Sequence, residues 1–241
     1  MKKLLAILSL AVIFLSSGCL LSNDSKKEDN GGNGGTAVSN KADTYLPYMI
    51  GATWSYEATE SIDRDKYIFT EVETVVGTNS YGGENYWLIE EKINYEKGFS
   101  SRDRINERFV RIDGNTVCQF LSLSIDPMPI LKFGLSSGQT WIVNESNESS
   151  SYSWLSTGKY LGIETVQVPA GTFQNCAKFR FDSAATGTTG WSQTSISMEW
   201  YAPKVGLVKK TDVMVTNTGK EYAENHTDTV TAALTSYSIP K

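Results

Sequence analysis

From Tyr45 onward, apolar and polar residues alternate with a period of two. In YWLIEEKINY, Trp87, Ile89, Ile93 and Tyr95 share one face, and Glu90, Lys92 and Asn94 share the other. In AKFRFDS, Ala177, Phe179 and Phe181 oppose Lys178, Arg180 and Asp182. In SISMEW, Ile196, Met198 and Trp200 oppose Ser195, Ser197 and Glu199, which assigns the first three to the core. Alternation of this kind predicts strands with one face on a core and one in water. Turn residues punctuate the runs at Gly82-Gly83, Asp113-Gly114-Asn115, Ser137-Gly138, Pro169-Ala170-Gly171 and Asn217-Thr218-Gly219. No segment after residue 45 has a long helical period. The predicted fold is all-β: an antiparallel curved sheet or half-barrel of about ten strands.

The strand pattern echoes itself. GATWSYE at Gly51 returns as GQTWIVN at Gly138. ETVVGTNSYGGENYW at Glu73 returns as ETVQVPAGTFQNCAKF at Glu164, and ERFVRIDGNTVCQF around Val110 as EWYAPKVGLVKKTD around Tyr201. Three echoes in one order, at nearly one spacing, predict two tandem similar halves, residues 44–130 and 131–241, within a body spanning 44–241. Trp54 and Trp141 are then matching core anchors. The short link from Met128 to Ser136 favours one continuous body.

The N-terminus follows a different pattern. Lys2 and Lys3 precede a nearly pure apolar run from Leu4 to Leu15, then Ser16, Ser17, Gly18 and Cys19. The run is too short for a membrane span, which needs roughly 20 apolar residues, and has the length of a signal peptide. Residues 1–18 are therefore read as a signal peptide. Residues 19–43 are Gly, Asn, Ser and charge with little to bury, and read as a flexible tether. The Gly18-Cys19 junction resembles the bacterial lipobox, although Leu15 stands one place earlier than the family's usual leucine. That resemblance implies cleavage before Cys19, acylation of its side chain, and a membrane partner through that anchor. Leu20, rather than aspartate, follows the cysteine, which implies the outer membrane in a cell of enteric type.

Composition narrows the field. The chain has 241 residues, enough to bury a core, with 40% hydrophobic, 20% charged and 11% aromatic residues. Its net charge of -5 repels phosphate backbones, so no nucleic-acid partner is expected. If Cys19 is acylated, Cys118 and Cys176 remain as a pair in an exported setting. They can form a disulfide between neighbouring strands or stay as two buried thiols.

YLPYMIGATWSYE, ETVQVPAGTFQNCAKF and WYAPKVGLVKK together resemble a broad group of uncharacterised bacterial exported proteins and lipoproteins. The resemblance covers most of Tyr45 to Met214. It implies a relation to lipoprotein-carrier-type all-β families, in which a curved sheet wraps an apolar cavity, and it brings no catalytic residue with it. The residues themselves read as structure. Pro169-Ala170-Gly171 is turn chemistry, Phe173 anchors the following strand, and Pro203 and Gly206 bracket a bend.

Catalytic chemistry is scarce. There is no GxSxG, HExxH or phosphate-binding glycine motif. The single histidine, His226, sits in the polar stretch ENHTDT with no nucleophile motif beside it. Asp63 and Asp65 lack the later glycine and glutamate of a calcium loop. Glu71 and Glu73, and Glu90-Glu91, read as alternating strand carboxylates with nothing nearby to raise a pKa. No metal and no cofactor is expected. The reading is a membrane-tethered, non-enzymatic binding or structural module of the cell envelope, taking an apolar ligand or an envelope protein or glycan. The alternative is an envelope enzyme, such as a glycan hydrolase with paired carboxylates.

Overall fold

Runs rich in aromatic and β-branched residues, cut by Gly and Pro turns, form twelve strands in this computed structural model, which describes residues 41–62, 65–96, 102–120, 127–146, 152–187, 190–217 and 225–241. Cys19, the signal sequence, Asp63 and the tether up to residue 40 lie outside the described residues. A short helix, α1 (Ala42–Tyr45), precedes β1 (Thr53–Ile62), β2 (Asp65–Tyr81), β3 (Glu84–Tyr95), β4 (Arg104–Asp113), β5 (Thr116–Phe120) and β6 (Met128–Lys132). Then follow β7 (Thr140–Ser146), β8 (Tyr152–Val168), β9 (Gly171–Gly187), β10 (Ser192–Ala202), β11 (Gly206–Asn217) and β12 (Asn225–Ser238). The count exceeds the sequence expectation because β5 and β6, five residues each, are too short to show a period of two.

All twelve strands belong to one antiparallel sheet, ordered β6-β5-β4-β3-β2-β1-β12-β11-β10-β9-β8-β7. Two six-stranded meanders are joined by the β1–β12 pair. The sheet curls until its edges meet, and the indole N–H of Trp141 on β7 donates to the Pro129 carbonyl on β6 at 2.9 Å. The result is a nearly closed barrel. The turns that open the two meanders carry the same backbone bonds. Gly51 N–H donates to Val75 C=O (2.8 Å) and Val75 N–H to Ala52 C=O (2.9 Å). Gly138 N–H donates to Tyr160 C=O (2.7 Å) and Tyr160 N–H to Gln139 C=O (3.0 Å).

One end of the barrel is plugged. Tyr45 of α1 is fully buried, stacks on Phe133 at 5.0 Å, and donates its hydroxyl to the Asn175 carbonyl at 3.2 Å. Phe133 in turn meets Phe179 and Tyr201 edge-on. The β10–β11 turn docks on the helix through Lys204 N–H to Thr44 C=O at 2.6 Å. The β8–β9 hairpin bends across the same end, and Ala170 N–H bonds the Leu234 carbonyl of β12 at 3.0 Å. The three stretches that carry the family resemblance therefore converge here, as structure. Ala42, inside the stretch read as tether, is also fully buried.

Each anchoring tryptophan lies on a glycine. Trp54, 2% exposed, donates to the Val205 carbonyl and covers Gly206, whose φ of +104° suits glycine. Trp141, 7% exposed, lies flat over Gly158, where a Cβ would come within 2.2 Å of the indole.

Strand β10 corrects the sequence reading. Glu199 pairs with the fully buried Phe179 and with Lys210, so Ser195, Ser197 and Glu199 face inward. Ile196, 42% exposed, and Trp200 face outward. Trp200 is nonetheless 7% exposed and packs with the main core, with Lys178 and Lys209 over its ring and Glu164 accepting its N–H. Adjacent residues of a strand point to opposite faces, so the inward Glu199 forces Trp200 outward.

Gly158→Ala should cost about 1–3 kcal/mol by overpacking, and Trp141→Ala about 3–5 kcal/mol by loss of packing. In urea unfolding the glycine change should become nearly silent in the Trp141→Ala background, because the clash has gone. Additive effects would show that the indole does not sit on Gly158.

Candidate functional site

The strand register carries ionisable side chains into the barrel just beyond the apolar plug. Trp54 and Tyr56 of β1 face inward, and their partners on β2 are Glu73 and Glu71. Glu73 pairs with Glu91 on β3, and inward Ile89 pairs with Arg108 on β4. From the far wall, Glu199 of β10 pairs with Lys210 of β11. Tyr48, in the loop after α1, meets Trp54 edge-on at 6.1 Å and roofs the group.

Oxygens of Glu71, Glu73 and Glu91 lie within 4.8 Å of one another. Glu73 is 5% exposed and forms a close ion pair with the Arg108 guanidinium. Glu91 accepts from the Asn106 amide at 2.5 Å, Glu199 accepts from the Tyr201 hydroxyl at 2.6 Å, and Lys210 pairs with Asp212 at 3.2 Å. The group is a belt of five acids and two bases bridging the two walls of the barrel. Solvent still reaches part of it, since the Lys210 and Arg108 side chains are 38% and 27% exposed.

Burial governs the belt's electrostatics. Burial, then the neighbouring Glu73 and Glu91, push the Glu71 carboxyl up to about 8, against the pull of Lys210 and Arg108. Burial also raises Glu199, with Lys210 opposing. Burial works against the charge on Arg108, yet Glu73 holds its pKa above the usual arginine value. Burial likewise opposes the charge on Lys210, but Asp212, Glu199 and Glu71 hold it high. Tyr56 and Tyr201 are raised by burial and remain neutral donors. A proton held on Glu71 at neutral pH gives the belt both a donor and acceptors. Three carboxylates at this spacing match the oxygen donors of a hard divalent cation, and Arg108 already supplies a positive charge beside them.

The belt overturns the reading that nothing near these glutamates raises a pKa, since burial beside Glu73 and Glu91 raises Glu71. A signal was present in the sequence: Glu71 and Glu73 share parity with Phe69 and Val75, and Glu91 shares it with Ile89 and Ile93. Acids at core-parity positions of two strands mark an inward polar group, but Arg108, Glu199 and Lys210 come from other strands. Glu90, by contrast, is partnered by Lys92 at 2.8 Å. His226 is half-buried on β12 opposite Thr216. Asp65 is exposed at the start of β2. Cys118 and Cys176 are both buried but are not bonded to each other. Cys118 packs with Tyr86 and Phe120, and Cys176 belongs to the main core, with β6, β7 and β8 between their strands. Burial pushes the Cys176 thiol up to about 11.

Residues 136–215, from the turn before β7 into β11, match the DUF3108-like family. No curated protein matches the chain. Two solved structures are similar. One is a protein of Bacteroides fragilis classed as exported, with a YmcC-like fold, at 12% identity and a TM-score of 0.46 over 81% of this chain and 99% of that one. The other is a protein of Parabacteroides distasonis classed as a lipoprotein, at 13% identity and a TM-score of 0.44 over 81% of this chain and 98% of that one.

Glu71 makes stability depend on pH. Its folded pKa lies above the unfolded value of 4.5, so its contribution is complete below that value and is lost as pH rises through about 8. The urea midpoint should therefore fall between pH 5 and pH 8. Glu71→Gln should flatten that fall and be the more stable protein at pH 8, by at least about 1 kcal/mol, the order of one pKa unit. Parallel pH profiles would show that Glu71 ionises freely.

Proposed function

We propose that the protein is a membrane-tethered lipoprotein of the cell envelope, cleaved before Cys19 and lipidated there, and that its barrel is a non-enzymatic binding module. The apolar run of residues 4–15 followed by Gly18-Cys19 supports the anchor. The two similar meanders, with matching opening turns, support an origin in a tandem repeat.

The observation that carries the binding reading is the inward belt of Glu71, Glu73, Glu91, Arg108, Glu199 and Lys210. Packing alone favours apolar side chains at these positions, because a buried charge is costly even when paired. The belt therefore favours a polar occupant. Hydroxyl or ammonium groups find acceptors in the glutamates, and Arg108 and Lys210 donate to a sugar oxygen or carboxylate. An envelope glycan segment fits this mixture better than an acyl chain, which would leave the charges unpaired. Tyr48, Tyr56 and Tyr201 add aromatic faces and hydroxyls around the same group.

A hydrolase is the second reading, and the carboxylate spacing favours it. Glu71 holds a proton as a general acid would, and the carboxyl groups of a retaining glycosidase stand about 5 Å apart. In that reading Glu71 is the acid and Glu91 the nucleophile, since Glu73 is neutralised by Arg108.

Two measurements test these readings. Cys19→Ser should move the protein from the membrane to the soluble fraction; unchanged membrane association would remove the lipid anchor from the proposal. Envelope oligosaccharides titrated into the chain should bind, and Lys210→Met and Glu91→Gln should each weaken binding by at least about tenfold, the loss of one charge-assisted bond at ~1.5–3 kcal/mol. Release of shortened glycans, abolished by Glu71→Gln, would favour the hydrolase. Co-purification of a fatty acid or phospholipid instead would overturn the polar-ligand reading.

A further inference from the structure

The plugged end of the barrel carries an exposed apolar surface that the packing of the chain does not use. Met49 is 40% exposed and Ile50 is 59% exposed, both in the loop between α1 and β1. Tyr237, near the end of β12, is 44% exposed and its ring meets Phe173 at 6.2 Å. Pro240 lies beside Gly51, at 3.6 Å from where a Cβ would stand, so the Met49–Ile50 loop and the end of β12 are neighbours. Ala170 at the β8–β9 tip is bonded to Leu234, which brings the exposed Pro169 to the same end. Single exposed apolar residues are ordinary, but a group on three converging segments is not.

The surrounding charge is basic although the chain as a whole is acidic at -5. Lys41, Lys204 and Lys241 are exposed at this end, and the Lys204 backbone is bonded to Thr44 in α1. Asp43 is exposed among them. Glu84 and Asp113, on neighbouring turns, both pair with Arg111, and Glu164 pairs with Lys178. Lysines around an apolar centre complement an anionic lipid surface.

The covalent path ends here as well. The chain reaches the barrel at Lys41 and enters α1, which sits inside the plug. Residues 20–40 separate Lys41 from Cys19. If that stretch is the flexible tether expected from its composition, it spans roughly 25 Å root-mean-square, and a lipid on Cys19 would then hold this end, and not the opposite one, near the bilayer. Tethering raises the effective concentration of a weak patch enough for it to engage.

We propose that the plugged end rests on the lipid bilayer, with Met49, Ile50 and Tyr237 in the headgroup region and the lysines on anionic lipid, so that the charged belt opens away from the membrane. This rests on the lipidation of Cys19. The outer wall carries a competing apolar group of Ile142, Leu155, Ile196, Val213 and Val215; its neighbouring Arg180 is paired with Asp182, and the chain entry lies elsewhere.

The test uses the full lipidated chain in vesicles of phosphatidylethanolamine with one quarter phosphatidylglycerol. A polarity-sensitive fluorophore is attached in separate proteins at Ile50→Cys, Tyr237→Cys and Ile196→Cys; the native Cys118 and Cys176 are buried. Expected are vesicle flotation, blue-shifted emission quenched by spin-labelled lipid at 50 and 237, and a water-like signal at 196. Adding Met49→Glu should reduce the shift at 237. Floated protein with water-like signals at 50 and 237, or with 196 responding in their place, overturns the docking face while leaving the anchor intact. Failure to float overturns both.

Discussion

A sheet of twelve strands curled on itself encloses more space than its own inward side chains fill, and the structure depends on how that space is closed. At one end the answer is α1. Four residues of helix carry Tyr45 to the centre, where it meets Phe133 and the Asn175 carbonyl. Phe133 lies between β6 and β7, the two strands that fail to pair, so the plug also draws the sheet edges together. Asn175 of β9 and Lys204 of the β10–β11 turn then both bond to the helix. The segments most recognisable in the sequence are the parts of this one closure.

Closing the end with apolar side chains leaves the next layer half wet, and that layer is ionic. Glu73 cannot lose Arg108 without leaving a buried charge unpaired, and Arg108 reaches Glu199 and Tyr201 electrostatically across the barrel. Such groups contribute little to net stability compared with an apolar replacement. Their presence on five strands is more readily understood as serving a ligand than as serving the fold. The gradient from dry plug to charged belt gives the barrel a direction, with α1 at one pole.

Much of the architecture was legible in the sequence. Period-two alternation, the turn residues and the echo of GATW in GQTW marked an all-β body of repeated meanders, because side-chain alternation is a local property of any strand. The buried positions of Trp54 and Trp141 follow from that pattern too. The helical plug was not legible, since four residues carry no helical period, and β5 and β6 were too short to count.

Local sequence cannot say which face of a strand is inside when both faces mix apolar and polar residues. In SISMEW the apolar set looked inward, yet β10 is placed by Glu199 opposite Lys210 and Phe179, which leaves Ile196 42% exposed, while Trp200 stays buried beneath two lysines. Glu71, Glu73 and Glu91 showed the parity of core residues, but a carboxylate becomes proton-retaining only when strands far apart in the chain exclude water from it. The alternation that makes strands, and the apolar leader ending at Cys19, are properties of neighbouring residues, and the sequence by itself determined them. The choice of inner face and the belt that spans the two walls arise from contacts between segments up to 180 residues apart, and only the tertiary structure decided them.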